Sequence, residues 1–200
     1  MRRLSLILIP AILAAAALAS YLLWHASDNL PALGRNVETG TVAIGGPFVL
    51  TDQNGAKRAS ADFRGRYMLI YFGYSTCPDV CPTTLVLMAD ALDKLGAKAD
   101  AIVPIFISID PQRDTAAKLK TYLAVFGPRF IGLTGDLASI ARVAGLYRVY
   151  MKKQPLAGGS YAMDHSSVIY LMGPNGKFVA YWDDTSIGPD KLAIALRERI

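Results

Sequence analysis

The sequence predicts an α/β domain, with a central mixed sheet flanked by helices, behind an apolar N-terminal segment. Apolar runs typical of strands alternate with helix-like segments along residues 45–200, which is the order found in α/β folds. The two cysteines follow the first central run and precede a helix, as in the thioredoxin-like arrangement. Residues 4–24 contain no charged side chain. Together these observations predict a thioredoxin-like domain with an N-terminal transmembrane anchor.

Residues 1–27 are expected to form the membrane anchor. The uncharged run over residues 4–24 is long enough to cross a bilayer as a helix. Arg2 and Arg3 precede it, which favours a cytoplasmic N-terminus and export of the following domain to the periplasmic or an equivalent side. A cleavable signal peptide is the alternative, because residues 17–19 resemble a signal-peptidase site. The apolar run continues beyond that site, so a retained anchor is favoured.

Residues 28–44 are expected to form a tether, and residues 45–200 one folded domain. Prolines and glycines without periodicity are typical of linkers, and the tether contains Pro31, Gly34 and Gly40. The chain is 52% hydrophobic and 18% charged, which favours a globular core over disorder. Its formal net charge of +5 is spread along the chain without a block of lysine and arginine. Nothing in the sequence therefore favours nucleic-acid binding.

The cysteines are predicted to lie between a buried strand and a helix. Residues 68–72 form a short apolar run rich in aromatic and β-branched side chains, typical of a strand. Pro82 is tolerated at the start of a helix but not inside one, so it predicts a helix from residue 82 to about residue 95. Gly96 then provides the stop signal.

Cys77 and Cys81 are predicted to form a functional site. Cys81 is placed at the cap of the helix, where the positive helix end is expected to lower its thiol pKa and favour the thiolate. Two buried structural cysteines are the alternative, but a close pair at a helix start is typical of reactive thiols. Asp79, between them, is expected either to tune the thiolates or to satisfy backbone donors of the loop.

The rest of the chain is predicted to complete the sheet and its helices. Asp114 and Asp136 are expected to cap the helices that follow them. The predicted strands cover residues 48–51, 57–59, 102–109, 130–133 and 147–151, with a hairpin at 167–172 and 177–182. The other predicted helices cover residues 115–126, 137–144 and 189–200, and residues 152–161 are predicted to be an irregular loop.

His165 is the candidate third ligand. The other histidine, His25, lies beside the apolar N-terminal run. His165 comes shortly before the predicted hairpin, and in a thioredoxin-like fold this loop faces the cysteine loop. Two thiolates and one imidazole make a soft-ligand site that suits Cu(I), or Cu(II) with a weak fourth ligand. Zn(II) with a water as fourth ligand is the alternative.

Two neighbours of His165 have roles that the sequence leaves open. Met163 is either an additional thioether ligand or, as we favour, a residue of ordinary loop packing. Asp164 is a candidate for orienting the imidazole from behind, as carboxylates do at many metal-bound histidines.

Several segments together resemble the Sco/SenC family over about residues 45–200. They are residues 71–82, which contain Cys77-Pro-Asp-Val-Cys81-Pro82, residues 106–115, 132–135 and 147–150, and Asp164-His165. The resemblance implies a membrane-anchored, thioredoxin-like copper protein that assists assembly of cytochrome c oxidase. It also implies that Cys77, Cys81 and His165 bind the copper. Residues 154–159 are neutral where some members carry an acidic run, so docking through such acids is not expected here.

The expected function is that of a copper metallochaperone, or assembly factor, for the binuclear copper site of cytochrome c oxidase. It would carry one copper per domain and pass it to the copper-site subunit, with other copper chaperones or thiol-disulfide reductants as further partners. The alternative is a thiol-disulfide oxidoreductase that reduces the cysteines of the oxidase copper site, which requires both cysteines but not His165. A thiol peroxidase is a third possibility, without specific support in the sequence.

Overall fold

The computed structural model describes residues 43–184 and 186–200. The expected anchor and nearly all of the expected tether lie outside the described residues. Within the part of the chain that is described, no helix is both long and apolar enough to cross a membrane.

A seven-stranded mixed sheet forms the centre of the domain. The strands are β1 (Val49–Asp52), β2 (Lys57–Ala59), β3 (Tyr67–Gly73), β4 (Ile102–Ser108), β5 (Ile131–Thr134), β6 (Met151–Pro155), β7 (Tyr161–His165), β8 (Val168–Met172) and β9 (Phe178–Asp183). The large sheet runs in the order β2-β1-β5-β4-β3-β8-β9, and β6 and β7 pair with each other as a separate two-stranded sheet. The three central strands β3, β4 and β5 are parallel, and β8 joins them antiparallel to β3.

In the described part of the chain, four α-helices accompany the strands: α1 (Val80–Leu95), α2 (Ala116–Leu123), α3 (Leu137–Leu146) and α4 (Pro189–Arg197). In α1 the buried side chains Leu85, Met88 and Leu92 recur every three or four residues, so that one face of the helix enters the core. The helix ends at Gly96, whose φ of +59° is a backbone conformation that glycine adopts without steric cost. Helices α1 and α4 pack against each other.

The core is deepest around β3 and β4. All seven residues of β4 are buried, because a central parallel strand is covered on both faces. Tyr71, Phe72 and Phe106 are completely inaccessible to solvent. Burial of each such side chain contributes about 1.5–3 kcal/mol to stability. This rigid centre carries the segment that contains the cysteines.

Most of the predicted elements are confirmed within a few residues. They include the strand before the cysteines, the helix that ends at Gly96, the β8–β9 hairpin and the cap at Asp136, whose carboxylate accepts a hydrogen bond from Ser139 N. These elements have strong local signals, namely continuous apolar runs, tight turns or a capping side chain.

The start of α1 and the cap of α2 differ from the predictions. Helix α1 begins at Val80 with Asp79 at its N-cap position, so Cys81 lies in the first turn rather than at the cap. A proline is tolerated anywhere in that turn, so Pro82 does not fix the first residue. Helix α2 is capped by the Thr115 hydroxyl, because the carboxylate of Asp114 is buried and bonded elsewhere.

The segment between α3 and β8 was predicted wrongly. Residues 147–150 are not a strand, since Arg148 has a φ of +58° that interrupts extended structure. The predicted loop at 152–161 is instead largely the β6–β7 hairpin, which turns at Ala157–Gly159. Its strands contain no fully buried residue and mix charged with apolar side chains, so no clear alternating pattern marks them.

Candidate metal centre

The two cysteines lie at opposite ends of the turn that joins β3 to α1. Cys77 is half-buried in the loop, and Cys81 is fully buried in the first helical turn. Both thiols are free. The backbone N–H of Cys81 points at the Cys77 sulfur, with 3.4 Å between the N and Sγ atoms. The helix terminus therefore acts on the sulfur of Cys77 rather than on that of Cys81.

Burial raises the pKa of the Cys81 thiol, and the neighbouring Cys77 acts in the same direction. The expected lowering of the Cys81 pKa by the helix end is therefore wrong. Its physical reason is that a sulfur without solvent contact loses the hydration that stabilises a thiolate. A thiolate at this position requires a cation beside it.

His165 supplies an imidazole to the buried sulfur. It is the last residue of β7, and its Nε2 atom lies 3.5 Å from Cys81 Sγ. Its Nδ1 atom lies 2.9 Å from the carbonyl oxygen of Ser166, which can only accept, so Nδ1 carries the hydrogen. Burial lowers the pKa of His165. The lowered pKa favours the neutral imidazole, with the lone pair of Nε2 directed toward the thiol.

The separation of these two atoms fits two ligands of one metal ion. A metal about 2.3 Å from sulfur and about 2.0 Å from nitrogen, with an angle of about 110–120° between the two bonds, separates the two ligands by about 3.5–3.7 Å. Cys81 Sγ and His165 Nε2 have that separation. Among the described residues, however, no three His, Cys, Asp or Glu side chains are already grouped as a metal cluster. Two of the three predicted ligands are in contact, and Cys77 lies against the backbone of Cys81.

Aromatic rings enclose the contact between the thiol and the imidazole. The rings of Tyr71 and Tyr74 meet the His165 ring edge-on, at centroid distances of 6.2 and 6.0 Å. The hydroxyl of Tyr71 donates to Cys81 Sγ over 3.9 Å. At Gly73 a Cβ atom would lie only 2.9 Å from Cys81 Sγ, so glycine is needed for the sulfur to reach this position. The surroundings restrict the imidazole and keep water from the sulfur.

The sequence profile of the SCO1/SenC family matches residues 36–200. This chain belongs to the SCO1/SenC family. The resemblance inferred from the sequence motifs is confirmed, and it covers the whole described Sco domain.

Curated Sco relatives align with the same part of the chain. Protein SCO1 homolog, mitochondrial, of Homo sapiens is 40% identical over 152 residues, which are 74% of this chain and 50% of that protein. Protein SCO1 homolog 1, mitochondrial, of Arabidopsis thaliana is 40% identical over 157 residues, which are 78% of this chain and 47% of that protein. The chain thus spans about half the length of these curated relatives.

Solved Sco structures share the fold. ScoI of Bradyrhizobium japonicum with copper bound is 47% identical, with a TM-score of 0.73 over 79% of this chain and 100% of that chain. ScoI of Arabidopsis thaliana with copper bound is 39% identical, with a TM-score of 0.74 over 78% of this chain and 97% of that chain. BsSco, in which a disulfide switch was identified, is 25% identical, with a TM-score of 0.64 over 78% of this chain and 92% of that chain. These similarities confirm the predicted α/β, thioredoxin-like fold.

The neighbours of the three candidate ligands differ in what they contact. In this Sco domain Asp164 accepts a hydrogen bond from Gln154 Nε2 over 2.7 Å, so the carbonyl of Ser166 orients the imidazole in its place. Met163 is half-buried and packs against the core. Asp79 forms no helix-capping hydrogen bond with its side chain.

Two buried carboxylates near the Sco site were missed by sequence reasoning. Asp184 accepts a hydrogen bond from Thr84 Oγ1 over 2.5 Å, and Asp114 accepts from the backbone and hydroxyl of Ser75. The sequence predicts Asp114 only as a helix cap, because it directly precedes a helix. No local pattern distinguishes a buried aspartate such as Asp184 from one in an exposed turn.

Proposed function

We propose that this Sco protein binds one copper ion through Cys77, Cys81 and His165. It then delivers the ion to the binuclear copper site of cytochrome c oxidase, or prepares that site to receive it. The observation that carries the proposal is the 3.5 Å contact between Cys81 Sγ and His165 Nε2, two residues that are 84 positions apart. Copper-bound structures of two Sco relatives, 47% and 39% identical to this chain, support copper as the metal.

Copper is favoured over zinc by the donor atoms. Two sulfurs and one imidazole nitrogen form a soft, three-coordinate set, which suits Cu(I) without further ligands. Zn(II) would require a fourth ligand, normally a water, in a tetrahedral site. The aromatic enclosure formed by Tyr71 and Tyr74 leaves the ion in poorly hydrated surroundings.

The three ligands have different tasks in this proposal. Cys81 and His165 form the fixed pair, since both are held by packing and hydrogen bonds. Cys77 completes the set by turning its side chain from the Cys81 amide toward the ion. Because Cys77 is half-buried on a loop, an incoming sulfur of the acceptor can replace it first. Transfer then proceeds by exchange of one ligand at a time.

A membrane location for the chain is part of the same proposal. Residues 1–27 would anchor it, residues 28–44 would form a tether, and residues 45–200 would work on the exported side, periplasmic or equivalent. The uncharged run at residues 4–24, preceded by Arg2 and Arg3, supports this arrangement. An anchored carrier would meet a membrane-bound oxidase subunit at the same surface.

Thiol-disulfide exchange is the second candidate function. The Cys77 sulfur lies 3.4 Å from the Cys81 amide nitrogen, and the relative BsSco has a disulfide switch. In this reaction the Cys77 thiolate attacks a disulfide of the oxidase subunit and releases one of its sulfurs as a thiolate. Cys81 then attacks the Cys77 sulfur of this mixed disulfide and releases the second sulfur of the subunit as a thiolate. Two electrons thus pass to the subunit, and Cys77 and Cys81 form a disulfide. His165 is not needed for either step.

Copper binding by the reduced full-length chain distinguishes the two functions. We expect one copper per chain, with sulfur-to-copper charge transfer in the Cu(II) spectrum, for the wild type and for the control variant His25→Ala. We expect His165→Ala to lose both the copper and the charge transfer. Unchanged copper affinity in His165→Ala would remove the histidine from the site. A wild type that holds no copper but cycles its disulfide readily would favour the oxidoreductase.

A further inference from the structure

The candidate ligands lie on two separately built parts of the domain. Cys77 and Cys81 follow β3 of the central sheet, whereas His165 ends β7 of the two-stranded sheet. A metal site requires the two parts to be held at a fixed distance. Residues 110–114, which follow β4 and are called the linking loop below, make hydrogen bonds to both parts.

On the cysteine side, the linking loop is fixed by Asp114. Its carboxylate is fully buried and accepts hydrogen bonds from the backbone N–H of Ser75 over 2.9 Å and from Ser108 Oγ over 2.7 Å. The backbone N–H of Ile109, just before the loop, donates to the carbonyl of Gly73 over 2.8 Å. The loop is thereby tied to the chain that carries Cys77.

On the histidine side, the linking loop is fixed by Arg113. Its Nη1 atom donates to the carbonyl of Tyr161 over 2.8 Å, at the first residue of β7. Its guanidinium lies 3.7 Å from the centroid of the Tyr161 ring, and its Nε atom pairs with Asp110. The second carboxylate oxygen of Asp110 accepts from the Tyr161 hydroxyl over 2.8 Å. Arginine, aspartate and tyrosine thus form a closed set of contacts at the start of the strand that ends in His165.

The arginine is poorly explained as a residue that only fills space. Its Nη2 atom is buried without a hydrogen-bond partner among the described residues. A buried donor without a partner is unfavourable, so filling this volume is not by itself a reason for a guanidinium here. What the guanidinium alone provides is a planar group that donates from two nitrogens while it stacks on a tyrosine ring.

We propose that Arg113 is a positioning residue of the metal centre, which holds β7 so that His165 Nε2 lies at ligand distance from Cys81 Sγ. This inference rests on the proposed copper-binding function. Since Tyr161 and His165 belong to one five-residue strand, a shift at its first residue moves the imidazole at its last. Arg113 itself does not touch the ion.

The test uses the full-length chain with Arg113→Lys and Arg113→Met. We expect the copper affinity of both variants to fall by about 10–100-fold, the usual effect of removing a group that supports a metal ligand. The Cu(II) charge-transfer spectrum should shift as well. The reduced, copper-free Cys81 thiol should stay as unreactive toward an alkylating reagent as in the wild type, because its sulfur is enclosed by core side chains. A general loss of structure would change both quantities.

Two further variants complete the test. Arg129→Met removes an arginine from an exposed ion pair with Asp100 and should leave copper affinity unchanged. Tyr161→Phe removes only the hydroxyl that donates to Asp110, and it should weaken copper binding less than the Arg113 substitutions do. If the Arg113 variants fail to fold, Tyr161→Phe decides the matter, since wild-type affinity and spectrum in that variant would overturn the positioning role.

The two proposals fail in different ways. If the wild type binds copper and the folded Arg113 variants match its affinity and spectrum, only the positioning role is wrong. If the wild type binds no copper, the proposed function is wrong and the positioning role falls with it.

Discussion

The two halves of the candidate metal centre are held by different forces. Cys81 follows β3, a strand with six of its seven residues buried, and its sulfur is enclosed by core side chains. His165 ends β7, and neither β7 nor its partner β6 contains a fully buried residue. The core therefore fixes the cysteine half. The histidine half depends on side-chain hydrogen bonds and ring contacts. They include the bonds of Arg113 and Asp110 to Tyr161, the first residue of β7.

Because of this difference, we expect substitutions in the two halves to differ in their effects on stability and on copper binding. Substitutions on the cysteine half should lower stability and copper binding together, since the same packing serves both. Substitutions on the histidine half should lower copper binding with little change in stability.

The largest effect is expected from the fixed ligand of the cysteine half. Cys81→Ser replaces a soft sulfur by a hard oxygen inside an apolar enclosure, so copper binding should be abolished. Cys77→Ser should retain weak binding through the Cys81–His165 pair. Titration of both variants with Cu(I) in the presence of a competing chelator measures the difference. Equal affinities for the two variants would contradict the proposed division between fixed and exchanging ligands.

A pair of aspartates offers the clearest contrast in stability. Asp114→Ala leaves the backbone of Ser75 and the hydroxyl of Ser108 without their buried acceptor. Because each buried donor without a partner costs about 1–3 kcal/mol, the substitution should lower the free energy of unfolding by about 2–5 kcal/mol. Asp164→Ala, on the histidine half, removes one exposed hydrogen bond and should change it by less than about 0.5 kcal/mol. Urea denaturation measures both. Similar losses in the two variants would show that the halves are not held differently.

The packing around Cys81 can be tested with a single methyl group. Gly73→Ala places a Cβ atom 2.9 Å from both Cys81 Sγ and Phe106 Cε2, and should lower stability by about 1–3 kcal/mol while weakening copper binding. Gly145→Ala is the matched control, since its Cβ atom would meet nothing within 4 Å. Thermal unfolding and copper affinity would be measured for both. If Gly73→Ala is destabilised but binds copper as tightly as the wild type, the packing around Cys81 does not determine copper affinity.

The smallest effect on copper is expected at β1, away from both halves. Burial acts to raise the pKa of Asp52, but the hydrogen bonds that it accepts from Ala56, Asn54 and Arg58 together lower that pKa. Its contribution to stability is therefore present at neutral pH and lost as the pH falls below 3.8, through the lowered pKa. Asp52→Asn should cost about 1–2 kcal/mol at pH 7 and lose part of the acid dependence, with copper affinity unchanged.

The candidate ligands could be identified from the sequence by their residue types and by the local pattern around them. Cys77 and Cys81 stand out because they are the only two cysteines and they flank a helix start. His165 was placed opposite them only by assuming the fold. The strands β3 and β4 were predicted because buried parallel strands have continuous apolar runs.

The features that the sequence did not predict are set by tertiary packing rather than by residues adjacent in the sequence. The pKa of Cys81 was expected to fall because a helix start is a local feature, but burial dominates and is set by the whole core. Asp114 precedes a helix yet turns inward to Ser75. The strands of the β6–β7 hairpin contain no fully buried residue and mix charged with apolar side chains, so the periodicity that marks other strands is missing there.

The most direct test of the three-ligand site is copper X-ray absorption on the reduced, copper-loaded full-length chain. Wild type should give two sulfur neighbours and one imidazole nitrogen per copper. His165→Ala, at whatever copper it retains, should lose the nitrogen and keep the sulfurs. A wild-type spectrum with sulfur neighbours alone, unchanged in His165→Ala, would contradict a site in which the cysteine loop and the histidine hairpin meet at one ion.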